Sequence, residues 1–369
     1  MGIVTVMGRI ARKSLRRKHL ATCRLRLAAV AVAMTASLGC RPGQRPGDDG
    51  ARALQQRHVD AERLGVLMST TPTLASAMTK IADPWTRILT AAESKALLDD
   101  MAYKTAAGIG LPELLSIDLD VRGYTVQIVN PMPGGPAERA GLKTGDTVVS
   151  IGGRPAEGKQ WKDIIAALRV PEGQTVDLEV RNRQEGLRRI QLKSEPLTAP
   201  VLVEGKVVEG STAVIQVRGF TERTSQEVAG LLDSLQPAAL ELDLQNNPGG
   251  SVESMLAVAG LFVGAKPLVG MRGANGAEET LKAVGEQRFT GALTVRVNEG
   301  SASAAEALAV GLRHNKRATI VGRKTFGKCL VHDIVPMSDG RALLMTIGRM
   351  HAPGQRPWCA EGVKPDSAG

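Results

Sequence analysis

The chain has 369 residues, enough for two or three domains, and its 43% hydrophobic content suits a globular protein with buried cores. Its formal charge of +10 would suggest a polyanionic partner, but eight basic residues (Arg9, Arg12, Lys13, Arg16, Arg17, Lys18, Arg24, Arg26) fall in the first forty positions with no Asp or Glu among them. Beyond that stretch 39 of the 47 basic residues face 37 acidic ones, and aromatics make up only 2%, so neither charge nor stacking surface supports nucleic-acid binding.

The basic stretch runs into an apolar segment of small residues, Leu27 to Leu38, and then Gly39-Cys40. This order reads as a secretory signal over residues 1–40, and its apolar run is well short of the ~20 residues that span a bilayer as a helix. The ending Ser37-Leu38-Gly39-Cys40 resembles a bacterial lipobox, although that pattern prefers Leu where Ser37 stands, and the resemblance implies lipidation at Cys40. Residues 41–50, RPGQRPGDDG, form a polar Pro/Gly tether. The expected location is the periplasm or cell envelope, with membrane contact only through a lipid anchor. Cys329 and Cys359 remain in the body without metal-site spacing; two unrelated thiols is the simpler reading, and a disulfide is the alternative in an oxidising compartment.

Residues 51–107 read as a helical region. ARALQQRHVDAERLGVLM and AESKALLDDMAYKTA place apolar residues three and four apart, and Asp83-Pro84 breaks the pattern between them. Residues 108–197 change to short alternating strands: Tyr124–Val129, Thr147–Ile151, Thr175–Val180 and Arg189–Lys193, with one helix, Trp161–Leu168. GIGL followed by PAERAGLKTGDTVVSIGG, a helix and two strands resembles a PDZ domain of the bacterial type. The resemblance implies that the loop Gly108-Ile109-Gly110-Leu111 offers backbone N–H groups to the C-terminal carboxylate of a peptide, which adds as a strand.

Residues 198–369 alternate strands with helices. Strands are expected at Ala213–Val217, Ala239–Leu244, Leu293–Val297, Ala318–Val321, Leu330–Val335 and Ala342–Ile347. Helices are expected at Ser225–Leu235, Ser251–Phe262 and Ala304–Leu312. The fold class is therefore α/β and multidomain, with a helical N-terminal region, a β-rich domain and an α/β core with crossover connections.

Three blocks of this core concentrate chemistry: LDLQNNPGG up to Gly250, VNEGSASAAE up to Glu306, and GRKTFGKCLVH up to His332. Each has an ordinary reading alone, since Gly-rich turns are common, Ser caps helices and loop Lys is usually solvated. Together, and in order with DPWTRILTAAE, GFTERTS and GVKPD, they resemble the carboxyl-terminal processing, or tail-specific, serine peptidases. The resemblance implies Ser303 as nucleophile and Lys328 as general base, with Lys324 left to solvent. It implies an oxyanion hole from Ala304 and from Gly249 or Gly250, and a supporting carboxylate, Glu306. Ser301 is the second candidate nucleophile. The chemistry is coherent: a hydroxyl needs a neighbouring base, and a lysine serves only when burial lowers its pKa.

The chain departs from that family at Gln245 (usually Arg), Cys329 (usually Gly), His332 (commonly Gln) and Met350-His-Ala-Pro-Gly354. His332 could hold Lys328, compete with it as a base, or be a tolerated neighbour. The expected function is a serine endopeptidase that takes polypeptides by exposed C-terminal tails, without metal or organic cofactor. A regulatory protein at the PDZ domain would be a further partner. The alternatives are a catalytically impaired peptide-binding lipoprotein and a Ser–His peptidase.

Overall fold

The computed structural model describes residues 48–58, 74, 83, 85–101, 104, 107–111, 116–120, 123–128, 131–159, 161–182 and 185–368. The signal segment, Cys40 and most of the tether lie outside the described residues, as does most of the first long helical pattern beyond its start at Asp48–Arg57.

The α/β half contains two sheets. In the first, strands Thr212–Val217, Ala239–Asp243, Ala292–Val297 and Thr319–Gly322 run parallel side by side, and Val203–Glu209 pairs antiparallel at one edge. Parallel neighbours need crossovers, and helices Thr224–Leu235, Val252–Val263 and Ala304–His314 lie in the connections. In the second sheet, Ala342–His351 pairs antiparallel with Leu330–Pro336, Pro267–Arg272 and Arg87–Leu89. Glu278–Lys282 extends it by pairing with Pro267–Arg272.

Helix Ala304–His314 contacts strands of both sheets, which is why every residue from Ala304 to Leu312 is buried. Its composition, AAEALAVGL, supplies the small side chains that such a sandwiched helix needs. The neighbouring helix Val252–Val263 is buried from Val258 onward, and Gly260 marks its closest approach: a Cβ there would stand 1.8 Å from the carbonyl oxygen of Val284.

The β-rich domain is an antiparallel sheet of Ser116–Asp120, Gly123–Gln127, Thr147–Ile151, Thr175–Asn182 and Gly186–Lys193, with Arg154–Pro155 beside Thr147–Ile151. Val126, Ile128, Val148, Ile164, Leu178 and Val180 fill its core. The chain enters and leaves this domain side by side, since Ala107–Gly108 pairs with Glu195–Pro196. The domain abuts the core where Thr144 lies against Gly300, close enough that a Cβ on Gly300 would stand 3.1 Å from Thr144 Oγ1.

Most elements fall where the sequence pattern places them. Sequence alternation overlooks Val203–Glu209, Pro267–Arg272 and Glu278–Lys282. Glu278–Lys282 is exposed at four of five positions, so it carries no apolar alternation and is a strand only by virtue of its partner. Arg87–Leu89, just before helix Ala91–Met101, is likewise a strand of the second sheet, where it pairs with Ala342–His351.

Because the Gly260 contact is with rigid backbone, Gly260→Ala should lower the unfolding free energy by about 1–3 kcal/mol, the usual range for overpacking. Urea denaturation measures this, and an unchanged midpoint would contradict the packing described.

Candidate active site

Ser303 stands where strand Ala292–Val297 has turned and helix Ala304–His314 begins. Its backbone is at φ 56 and ψ −118, a conformation that a side chain rarely adopts and that costs on the order of 1–3 kcal/mol. Surrounding bonds impose it. Ala302 N–H donates to Asn247 O at 2.9 Å, and Ser303 N–H donates to Glu306 Oε2 at 2.9 Å. Asn298 Oδ1 accepts from Asn246 N at 2.9 Å and Gly300 N at 3.0 Å, fastening this turn to the NNPGG turn.

Ser301 is fully buried and committed. Its hydroxyl donates to Leu244 O at 2.7 Å and accepts from Asn298 N at 3.0 Å, so it is a tie between turns. Ser303, by contrast, is partly exposed. Gly249, at φ 105, backs directly onto it: a Cβ there would lie 2.8 Å from Ser303 Cβ and 3.0 Å from Ala304 N. Any side chain would fill the space beside the hydroxyl. The Gly249 amide is taken, donating to Asn247 Oδ1 at 2.8 Å. The amides of Gly250 and Ala304 have no such bond among the described residues.

Glu306 is wholly buried one turn into the helix and accepts four hydrogen bonds. Oε2 takes Ser303 N and, at 2.8 Å, Lys328 N; Oε1 takes Gly327 N at 2.8 Å and the Thr325 hydroxyl. One carboxylate oxygen thus holds the main chain of both Ser303 and Lys328, so their backbone nitrogens are at most two hydrogen bonds apart. Burial pushes the Glu306 pKa up, against the pull of these four donors.

Burial also lowers the Lys328 pKa to about 8, with the Glu306 charge opposing the shift. Its ammonium lies over the Trp85 indole, 4.9 Å from the ring centroid. Lys324 is exposed. His332 shares the enclosure: its ring centroid is 5.3 Å from that of Trp85, and burial, followed by the Lys328 charge, lowers its pKa to about 3. Its Nε2 is buried without a hydrogen-bond partner among the described residues, so no hydrogen bond ties it to Lys328.

Cys329 and Cys359 form a disulfide, with Cα atoms 4.8 Å apart. It joins the residue after Lys328 to the C-terminal segment, beside the Ala360 N to Gly327 O bond at 2.8 Å.

On the β-rich domain, Ile109, Gly110 and Leu111 line a cavity of about 500 Å³ with Met132, Ile165 and Leu168. Helix Ala91–Met101 adds Lys95, Asp99 and Asp100 to its wall. Among the described residues no cluster of His, Cys, Asp and Glu could hold a metal, and no helix is long and apolar enough to cross a membrane.

Comparison with known proteins matches residues 211–368 to Peptidase family S41 and residues 127–182 to a PDZ domain. The carboxyl-terminal-processing protease of Synechocystis is 31% identical over 292 residues, covering 77% of this chain and 67% of that protein. The chain belongs to the S41 peptidases. The carboxy-terminal processing protease CtpA of Bacillus subtilis is 30% identical over 290 residues, and the chain spans 60% of its length. The solved photosystem II D1 C-terminal processing protease superposes with TM-score 0.74 at 27% identity, covering 87% of this chain and 91% of that one.

Sequence reasoning singled out Ser303, Lys328, Glu306 and the Gly turn, and the fold gathers them. It assigned no role to Trp85, Asn247, Asn298 or Thr325. The signal was present for Trp85, since DPWT was part of the family likeness, but nothing in the sequence says that its ring meets Lys328.

Glu306→Gln replaces one acceptor oxygen by an NH₂ that must face donors. Stability should fall by at least about 2 kcal/mol, the scale of unpaired buried donors, with loss of any Ser303-dependent activity. Thermal unfolding with an activity assay tests it; a variant as stable and active as the parent would exclude the role of the tie. Reducing the disulfide should lower stability by ~2–4 kcal/mol, read from denaturation with and without reductant alongside thiol titration.

Proposed function

We propose that the chain is a serine endopeptidase in which Ser303 is the nucleophile and Lys328 the general base. The observation that carries this reading is the shared Glu306 oxygen, which fixes a strained serine and a buried lysine about one point. With a pKa near 8 a substantial fraction of Lys328 is neutral at physiological pH. It takes the Ser303 proton as Oγ attacks the scissile carbonyl carbon. The resulting oxyanion is met by the amides of Gly250 and Ala304, because the Gly249 amide is already spent on Asn247. Lys328 then returns the proton to the leaving amine, and water attacks the acyl ester by the same route. His332, with a pKa near 3, is too weak a base to compete, which disfavours a Ser–His mechanism.

The substrate in this reading is a polypeptide with an exposed, largely apolar C-terminal tail. The cavity at Ile109–Leu111 has apolar lining, and amides of that loop would suit a terminal carboxylate. Export, with Cys40 as lipid anchor, rests on the basic-then-apolar leader, and the Cys329–Cys359 disulfide supports an oxidising compartment. Fractionation of cells carrying Cys40→Ser tests the anchor: release of the protein from the membrane fraction is expected.

Ser303→Ala and Lys328→Ala should each reduce cleavage of a tailed, disordered protein by on the order of 10³-fold or more, with cuts identified by mass spectrometry. Inactive wild type would favour the peptide-binding scaffold instead. Activity that survives Lys328→Ala but not His332→Ala would favour the Ser–His version. For the wild type, kcat/KM should rise with pH about tenfold per unit and level off near pH 8, as Lys328 loses its proton.

A further inference from the structure

Glu306 holds the main chain of Lys328 but leaves the far end of the side chain to be placed by something else. That end meets the face of Trp85. Trp85 is only 7% exposed and is fixed from three directions. Its backbone N–H donates to Asp83 Oδ1 at 3.0 Å, and Asp83 Oδ2 takes the Thr86 hydroxyl. Thr86 Oγ1 in turn accepts from Thr346 N at 3.2 Å, anchoring the turn to the peptidase sheet just before Arg87–Leu89 joins it. On its other sides the indole packs with His332 and belongs to the same apolar cluster as Ile109 and Val126 of the PDZ domain.

We propose that Trp85 is a positioning residue for the general base: its indole face holds the Lys328 ammonium and favours the protonated form that the lysine must pass through. This rests on the Ser303–Lys328 reading above. The electron-rich face of an indole attracts a cation and is indifferent to a neutral amine, and the attraction is greatest where water is excluded. Among the described residues, the other ionisable groups facing this enclosure are Glu306 from the helix, His332 from strand Leu330–Pro336, and Asp83 and Arg87 from the N-terminal segment, with buried His58 behind Asp83. Glu306 alone among them acts on Lys328 as an opposing charge, and its carboxylate is already saturated by four donors. The indole therefore stabilises the lysinium without adding a second buried anion. A carboxylate in its place would hold the lysine permanently charged and end its use as a base.

The test follows lysine Cε resonances by NMR in full-length protein labelled with ¹³C-lysine, in the Ser303→Ala background so that no turnover intervenes. The Lys328 signal is the one missing from Lys328→Ala. In Trp85→Leu the Lys328 midpoint should fall by about one pH unit, a tenfold loss of proton affinity. Should that variant fail to fold, biosynthetic fluorinated tryptophans weaken the ring face without changing its shape. The midpoint should then fall stepwise with each added fluorine, and Trp85→Phe protein grown on the same analogues should show no step. An unchanged or raised midpoint in both series overturns the proposal. In the active enzyme the same variants should lower kcat with KM little changed and move the acid limb of the pH profile downward; a purely structural role would move neither limb nor midpoint. If Lys328→Ala retains peptidase activity, both the dyad and the role of Trp85 fall. If Lys328→Ala is inactive while the Lys328 midpoint ignores Trp85, only the latter does.

Discussion

A carboxylate withdrawn from water is tolerated only when donors replace the lost hydration, and Glu306 meets that condition four times over. The donors come from two distant stretches of chain: the turn bearing Ser303, and the loop from Thr325 to Lys328. Since the group is worth burying only if both stretches arrive together, it makes the geometry of the site a condition of folding the core. The strained backbone of Ser303 is one consequence. A conformation that would relax in a free loop persists here because its N–H has one place to go.

The position of Glu306 follows from the architecture. Helix Ala304–His314 lies between two sheets, so any residue one turn from its start is enclosed. The second sheet draws strands from both ends of the body, Arg87–Leu89 and Ala342–His351, and so brings Trp85 to the same enclosure from far away in sequence. Lys328 then sits among a saturated carboxylate, a neutral imidazole and an aromatic face. Each satisfies a different requirement: orientation of the backbone, absence of a competing charge, and a weak hold on the cation. The disulfide at Cys329 secures the loop from its other end.

Much of this was legible beforehand. The two periodicities separated the PDZ sheet from the α/β core, and the ordered turns at Asn246–Gly250, Ser301–Ser303 and Thr325–Lys328 marked where chemistry would gather. What escaped were elements without a pattern of their own. Glu278–Lys282 shows no alternation because water covers nearly all of it, and Arg87–Leu89 is too short to show one. The distinction between Ser301 and Ser303 also escaped local reading, since both precede the same helix.

The sequence by itself determined the elements, their order and the residue types at each turn, because these depend on local spacing and on backbone preference. Only the tertiary structure decided how the surroundings of Ser303 and Lys328 are shared out. It buried the Ser301 hydroxyl against Leu244 and left Ser303 partly exposed. It left the Gly250 and Ala304 amides open by committing that of Gly249 to Asn247. It paired Cys329 with Cys359 and set His332 and Lys328 against the same Trp85 ring. Each of these outcomes is a contact between residues distant in the chain, and such contacts exist only once the sheets have closed around the central helix.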